Sequence, residues 1–251
     1  MKTSGRSLPI IVILLSGILI QCGSSQEKGA NGGAFDGKIK GDGYYTEAGT
    51  GRHHVSIWQA GYWTGNNSLS WKGDVKNILF TFDGSGGAIG RIGKWYDGVR
   101  VADIDESPVN VNAQVDNPAG GSYFFTIYGW VYDTTSWGPA TRRDEYYVIE
   151  DWTSAESDPL IGSLTVDGVE YEMHKFTFAP PEQDMPGYRF KAIRKSGKRR
   201  TGPVNMKPFF EYWLANGMED GYLGEMTWAI ELLGGRHKGT FTCTDIEIPE
   251  Y

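Results

Sequence analysis

The sequence has few of the residues on which disulfide-rich and metal-binding proteins depend. Only two of its 251 residues are cysteine, Cys22 and Cys243, and only four are histidine. Two widely separated cysteines do not make a disulfide framework, and Cys243, within TFTCTDIEI, is typical of a buried small hydrophobic residue. His53 and His54 are adjacent, so on a strand they would point to opposite faces. The sequence therefore predicts no metal site.

Basic residues are also in deficit, which argues against a nucleic-acid partner. The chain carries 24 Lys and Arg against 31 Asp and Glu, a formal net charge of −7. Loss of an N-terminal leader with Lys2 and Arg6 would change this charge to −9. The basic run KAIRKSGKRRTG, residues 191–202, contains no aromatic residues and predicts a solvated strand end and turn. An acidic domain suits a neutral substrate.

Only one long apolar run is present, and it lies near the N-terminus. Leu8 to Ile20 reads LPIIVILLSGILI after two basic residues, which predicts a signal peptide over residues 1–22. Leu19 to Cys22 resembles a bacterial lipobox, in which the cysteine is lipidated. We therefore expect an exported protein, either a cell-envelope lipoprotein anchored through Cys22 or an ordinary secreted protein. Residues 23–42 are small and polar and predict a flexible tether.

Long runs of helix-forming residues are scarce as well, so the remaining residues, 43–251, predict a single all-β domain. Thirty-five Gly, nine Trp and fourteen Tyr accompany short alternating segments such as NILFTF and MTWAIELL. This rhythm is typical of a sandwich or jelly roll. The exception is VNMKPFFEYWLANGM, where Pro208 suits a first helical turn and Gly217 a stop. We expect one α-helix packed on the sheets.

The stretch DEYYVIEDW, residues 144–152, combines strand-forming residues with carboxylates. On a strand, Glu145, Tyr147, Ile149 and Asp151 share one face, with Glu145 and Tyr147 about 7 Å apart. A carboxylate flanked by aromatic rings on a concave sheet is what a glycosidase requires. Taken alone, however, the strand fits better a sheet whose solvent face happens to carry Glu and Tyr.

Several motifs in order along the chain resemble glycoside hydrolase family 11, the small xylanases. These are GSGGAIGRIGKW at residues 84–95, YGW at 128–130 followed by EYYVIEDW, and AIRKSGKRRTG followed by FFEYWLANGM. The similarity extends over residues 53 to 245. It implies a concanavalin-like β-jelly roll that acts on xylan or a related β-1,4-glycan as a monomer, without metal or organic cofactor.

The resemblance implies roles for individual residues. Glu145 would be the nucleophile of a retaining hydrolysis, and Tyr128 and Tyr147 would hydrogen-bond the nucleophile and the sugar. Trp58 would be the platform for a distal sugar, although an ordinary core indole remains an alternative for this residue.

The second carboxylic acid is less clearly placed. The family's C-terminal motif is E-G-aromatic-x-S-S-G, whereas this chain reads WAIELLGGRHKGTFTC. Alignment of the glycines puts Gly234 or Gly235 where the acid should be, and the nearest carboxylate is Glu231. Either a shifted strand brings Glu231 into the cleft as acid/base, or the acid has been lost. The residue beside the acid, Asn or Asp in the family, maps to Ala88.

Three functions follow as hypotheses. The first is an exported endo-1,4-β-xylanase that retains anomeric configuration, with Glu145 and Glu231 as the catalytic pair. The second is a catalytically silent glycan-binding surface lipoprotein with the same fold. The third is a structural envelope protein that has kept only the sandwich. In none of these does the protein contact the membrane except through a lipid anchor.

Overall fold

The computed structural model describes residues 37–41, 45–50, 53–72, 77–135, 139–153, 158–178 and 185–251. The predicted signal peptide, Cys22 and most of the predicted tether lie outside the described residues. Among the described residues, no helix is long and apolar enough to span a membrane.

Short strands dominate the described chain, together with one α-helix. The elements are β1 Gly37–Lys40, β2 Tyr45–Thr50, β3 His53–Gln59, β4 Thr64–Lys72, β5 Asn77–Ser85, β6 Ala88–Trp95, β7 Pro108–Asp116, β8 Tyr123–Tyr132, β9 Arg143–Trp152, β10 Leu160–Val166, β11 Val169–Phe178, β12 Gly187–Arg194, β13 Val204–Asn205, α1 Lys207–Ala215, β14 Tyr222–Leu232 and β15 Arg236–Glu247. A 3₁₀ turn covers Val101–Asp103.

In the described part of the chain these strands form two sheets. The six-stranded sheet has the order β1-β4-β5-β15-β7-β13, and the nine-stranded sheet has the order β10-β11-β12-β9-β8-β14-β6-β3-β2. Neighbouring strands are antiparallel except β9 and β12, which are parallel. The predicted all-β sandwich is therefore confirmed.

The hydrophobic core consists of side chains that alternate along the inner faces of the strands. On β9, Tyr146 and Val148 belong to the core, while Tyr147 and Ile149 belong to a second cluster on the opposite face. The same alternation on β14 directs Trp228 and Ile230 inward. The nine-stranded sheet thus has one face against the core and another that carries the site described below.

The single helix forms where its sequence signals place it. Pro208 occupies the first turn, where a backbone N–H has no intrahelical partner. Phe209 and Trp213 are fully buried against the core. Gly217 follows the helix with φ of 93°, the left-handed conformation that glycine adopts at a helix C-terminus. The predicted helix is confirmed.

The folded part begins earlier than the predicted start at residue 43. Gly37–Lys40 lies within the predicted tether, yet it pairs as β1 with β4. Ile39 is the reason, because its side chain reaches the core and is only 3% exposed. One apolar residue among GKIK was too weak a signal to indicate a strand.

The basic turn after β12 is held by the carboxylates at the end of β9. Buried Glu150 accepts hydrogen bonds from Arg199, at 2.7 Å from Nε and 2.9 Å from Nη2. Buried Asp151 pairs with Arg200 and, at 3.1 Å, with Lys198. The predicted solvated strand end is therefore partly wrong, because these cations neutralise two buried carboxylates.

Candidate active site

A cleft of about 300 Å³ opens on the outer face of the nine-stranded sheet. Its walls combine rings with charged groups, a lining typical of sites for polar ligands with apolar surfaces. The aromatic residues are Trp58, Tyr128, Trp130 and Tyr147, the charged residues are Arg91, Arg143, Glu145, Arg189 and Glu231, and Ile89 completes the lining.

Glu145 lies at the centre of this cleft, on β9, and its carboxylate accepts three hydrogen bonds. Tyr128 and Tyr147 donate their phenol protons to Oε1 at 3.1 and 3.0 Å. The guanidinium of Arg189 donates from Nε to Oε2 at 2.6 Å. With 5% of its surface exposed, Glu145 has one fixed orientation. The carboxylate is thus aimed into the cleft before any ligand arrives.

Strand register explains why these donors converge. Tyr128 on β8 is the direct cross-strand partner of Tyr147 on β9, and their ring centroids lie 4.9 Å apart. Arg189 on β12 is the partner of Glu145 across the parallel pair. Burial, followed by the charge of Glu145, raises the pKa of both phenols well above 10, so they remain protonated donors.

Glu231 lies in the same cleft, on β14. Its pKa is raised from the ordinary 4.5 to about 7, first by burial and second by the charge of Glu145. Arg189, Lys191 and a hydrogen bond from Tyr147 oppose this rise without cancelling it. Glu231 therefore carries a proton in mildly acidic solution, as a general acid must.

Tyr147 lies between the two acids in the cleft lining. Its hydroxyl donates to Glu145 at 3.0 Å, and it is one of the groups that influence the pKa of Glu231. Glu145 and Glu231 both line the same cleft. A retaining glycosidase requires two carboxyl groups that face one cleft. The structure therefore agrees with the shifted-strand alternative, in which Glu231 reaches the cleft.

The neighbour of Glu231 differs from the predicted one. Ala88 belongs to the core, whereas Ile89 lines the cleft and is the cross-strand partner of Glu231. The prediction that Ala88 stands beside the acid was wrong by one residue, and in a strand one residue inverts the face. An apolar neighbour favours the neutral form of Glu231, in keeping with the raised pKa.

A buried ion pair supports the cleft floor beside Tyr128. Arg91 donates to Glu225 at 2.9 Å and to the Ser56 hydroxyl at 3.0 Å, and its guanidinium lies 5.4 Å from the Tyr128 ring centroid. His54, also beside Glu225, has its pKa lowered to about 3 by burial, Arg91 and His53, so it is neutral. This pair fixes Arg91 at the cleft surface.

All the sequence-predicted cleft residues meet in one pocket. Trp58 is partly exposed there and packs on the outer-face cluster, which favours a platform over a core indole. Sequence reasoning missed Arg91, Arg143 and Arg189. The signal for Arg189 was present in YRFKAIR, where an arginine alternates with core-facing residues on a strand.

Comparison with known proteins agrees with this geometry. The family described as Glycosyl hydrolases family 11 matches residues 50–243. The chain belongs to this family.

Curated relatives of this family 11 chain are similar at low identity. Endo-1,4-beta-xylanase C of Fibrobacter succinogenes (strain ATCC 19169 / S85) is 28% identical over 207 residues, which is 78% of this chain and 31% of that protein. Endo-1,4-beta-xylanase 4 of Pyricularia oryzae is 26% identical over 187 residues, 70% of this chain and 71% of that protein. The chain spans about a third or less of the length of several matched relatives, the Fibrobacter protein among them.

Solved family 11 structures share the fold. The family 11 xylanase from Neocallimastix patriciarum superimposes with a TM-score of 0.66 at 20% identity, over 84% of this chain and 97% of that one. This likeness supports the jelly-roll assignment. The roles of single residues rest on the cleft itself.

Proposed function

We propose that this protein is an endo-1,4-β-xylanase that cleaves xylan with retention of configuration. One observation carries the proposal: a fixed carboxylate, Glu145, and a carboxyl group with a pKa of about 7, Glu231, line the same aromatic cleft. The names of curated family 11 relatives, which are xylanases, support the choice of xylan.

In the first step, Glu145 attacks the anomeric carbon while Glu231 gives its proton to the departing glycosidic oxygen. The carbon–oxygen bond breaks as the glycosyl ester forms. Tyr128, Tyr147 and Arg189 hold the carboxylate for attack, so little reorganisation is needed in the transition state.

Formation of the ester then changes the role of Glu231 from general acid to general base. The ester removes the negative charge of Glu145, which is the second cause of the raised pKa, while Arg189 and Lys191 still lower it. The pKa of Glu231 therefore falls, and Glu231 accepts a proton from the water that attacks the ester carbon. This attack releases the sugar and restores both carboxyl groups.

The aromatic lining suits a neutral sugar chain. Ring faces of Trp58 and Trp130 can cover the C–H surfaces of xylose units, and phenols can bind their hydroxyls. The chain acts as a monomer without metal or organic cofactor in this proposal. It is exported and held at the cell envelope by lipidation of Cys22, which Cys22→Ser would test by releasing the protein from membranes.

The test uses residues 22–251 with Cys22→Ser and measures reducing ends released from xylan. Glu145→Gln and Glu231→Gln should each abolish release, whereas Glu211→Gln, on the exposed face of α1, should not change it. Proton NMR of the first product should show the β-anomer. The α-anomer first would refute retention. No release from any xylan, with xylan still retarding the protein in an affinity gel, would favour the silent glycan-binding alternative.

A further inference from the structure

Lys191 is a nearly buried cation on the cleft side of the nine-stranded sheet. Its partner across the parallel pair of β12 and β9 is Tyr147, so the two side chains leave the sheet on the same face. Only 8% of the Lys191 side chain is exposed, although lysine is among the residues found most often in solvent. A buried ammonium group is costly unless an anion compensates it, so the position of Lys191 requires an explanation.

Asp158, just before β10, forms an ion pair with this lysine. Its Oδ2 lies 2.9 Å from Nζ of Lys191, and its own side chain is 10% exposed. His174, the cross-strand partner of Lys191 on β11, donates from Nδ1 to the backbone carbonyl of Asp158 at 2.8 Å. The ion pair makes burial of the lysine tolerable, but apolar side chains of similar size often stabilise such a position equally well. Stability alone therefore does not account for a lysine here.

The ammonium group of Lys191 lies next to the rings that adjoin the two acids. Its Nζ is 5.6 Å from the centroid of Phe124 and 5.8 Å from that of Tyr147. Phe124 is the direct cross-strand partner of Glu231, and partner side chains on one face lie about 5 Å apart. The hydroxyl of Tyr147 donates to Glu145. The positive charge is thus placed beside the catalytic pair.

Other charged and titratable groups reach this face of the sheet from the neighbouring strands. Besides Glu145 and its three donors, those of the described residues are Arg143 on β9, Arg91 on β6, Glu225 on β14, His54 on β3, and His174 and Glu172 on β11. Arg189 and Lys191 both lower the pKa of Glu231. Arg189 also binds the nucleophile directly, so only a substitution of Lys191 changes the charge near Glu231 while the hydrogen bonds to Glu145 stay in place.

We propose that Lys191 is a positioning residue of the reaction, whose positive charge, held by Asp158, favours the ionised form of Glu231 that acts as base. This inference rests on the proposed function and adds a residue that assists the second step. The charge matters most once the ester has formed. The negative charge of Glu145 is then absent, but burial still opposes ionisation of Glu231, and the lysine counteracts it.

The test compares two substitutions that break the same ion pair but change the charge in opposite directions. The pH dependence of kcat/KM on xylan is measured for residues 22–251 with Cys22→Ser, alone and with Lys191→Met or Asp158→Asn. Without the lysine, Glu231 should keep its proton to higher pH. The basic limb should then shift upward by roughly half to one pH unit, less than the about 1 to 3 units that a charge within about 4 to 6 Å produces. Without the aspartate, the lysine charge is less compensated, so the limb should shift downward.

A second readout isolates the step in which Glu231 is the base. An aryl xylobioside with a good leaving group forms the ester quickly, so attack of water on the ester limits kcat. Glu231 must be ionised to accept the proton of this water, and Lys191→Met should therefore shift the acidic limb of kcat upward as well. Mass spectrometry of acid-quenched enzyme verifies that the ester accumulates. An acidic limb at the wild-type pH would contradict a role in this step.

Two control variants separate the charge of Lys191 from its packing. Lys191→Arg keeps the charge and should leave both limbs near their wild-type pH. Lys175→Met is the matched control, because Lys175 lies on the neighbouring strand β11 with its ammonium 3.7 Å from the Tyr188 centroid, but pairs across the strands with the core residue Phe190. It removes one ring-packed charge from the opposite face and should shift neither limb. An equal shift in Lys175→Met would overturn the inference.

The outcomes distinguish the inference from the function on which it rests. If the basic limb moves in the same direction in Lys191→Met and Asp158→Asn, or in neither, the ion pair is only structural. The inference then fails, while hydrolysis by the wild type leaves the xylanase proposal intact. Should Lys191→Met not fold, the downward shift expected for Asp158→Asn still decides the matter.

If the wild type cuts no xylan, the xylanase proposal fails, and a direct titration decides the inference. NMR of isotope-labelled glutamate carboxyl groups follows the ionisation of Glu231, whose signal is identified by its loss in Glu231→Gln. A higher titration midpoint in Lys191→Met would support the action of Lys191 on Glu231, and an unchanged midpoint would overturn it.

Discussion

Loss of the proton from Glu231 should make the protein less stable in neutral and alkaline solution, and Glu231→Gln should remove this cost. In the unfolded chain Glu231 titrates near 4.5, whereas in the folded protein its pKa is about 7. The folded state binds the proton more tightly, so the stabilisation by protonation is complete below pH 4.5 and is lost as the pH rises through 7.

The size of the effect follows from the shift. Each pKa unit corresponds to about 1.4 kcal/mol, so the shift from 4.5 to about 7 corresponds to roughly 3 kcal/mol. This is an upper value because the Glu231 side chain keeps some contact with solvent. Glutamine mimics the neutral acid at every pH. We therefore expect Glu231→Gln to raise the free energy of unfolding by up to about 3 kcal/mol at pH 8 and by almost nothing at pH 4.

Denaturant unfolding followed by circular dichroism at pH 4, 6 and 8 measures this difference. Glu211→Gln, which removes an exposed carboxylate from α1, is the control for the loss of one negative charge. In a Glu145→Gln background the gain at pH 8 should shrink, because the charge that helps raise the pKa of Glu231 is absent. An equal gain at pH 4 and pH 8, or no gain at pH 8, would refute the linkage between Glu231 and its cleft.

The remaining predictions concern catalysis. Because Glu231 must be protonated to donate, kcat/KM on xylan should fall as the pH rises through about 7, and a profile flat to pH 9 would contradict its role as acid. Arg189→Gln removes a hydrogen-bond donor from Glu145, so activity should drop roughly 100-fold. It also removes a charge that lowers the pKa of Glu231, so the basic limb of the pH profile should shift to higher pH. A basic limb at the wild-type pH would exclude this coupling. Tyr147→Phe should reduce kcat more than it changes KM, because the lost hydroxyl donates to Glu145. The hydroxyl of Tyr146 instead donates to the Glu225 carbonyl on the core side, so Tyr146→Phe should lower the free energy of unfolding by about 1 kcal/mol and leave kcat unchanged.

The fold and the nucleophile strand could be predicted from the sequence because both depend on local patterns. Alternation in EYYVIE assigns Tyr147 to one face and Tyr146 to the other, and the structure has them so. Pro208 and Gly217 likewise mark the ends of the helix through their own backbone preferences. Such signals need no knowledge of which strands are neighbours.

The sequence does not reveal which strands are neighbours in the sheet, and the positions of Glu231 and Arg189 in the site depend on those neighbours. Glu231 and Glu145 line one cleft because only β8 separates β14 from β9, and Arg189 pairs with Glu145 because β12 runs parallel to β9. The assignment of Ala88 failed for a related reason, since a shift of one residue in aligning two strands exchanges core and cleft. Register between distant segments is fixed by packing of the whole sandwich.

The strand β9 shows why the register of this sheet tolerates little change. Its cleft face carries Glu145 and Tyr147, its core face carries Tyr146 and Val148, and its end presents Glu150 to the basic turn. A slip of one residue would bury Glu145 in the core, expose Tyr146 and detach Arg199 at once. The stability of the fold and the arrangement of the cleft therefore depend on the same hydrogen bonds. Variants that weaken the pairing of β9 with β12 should lose stability and activity together.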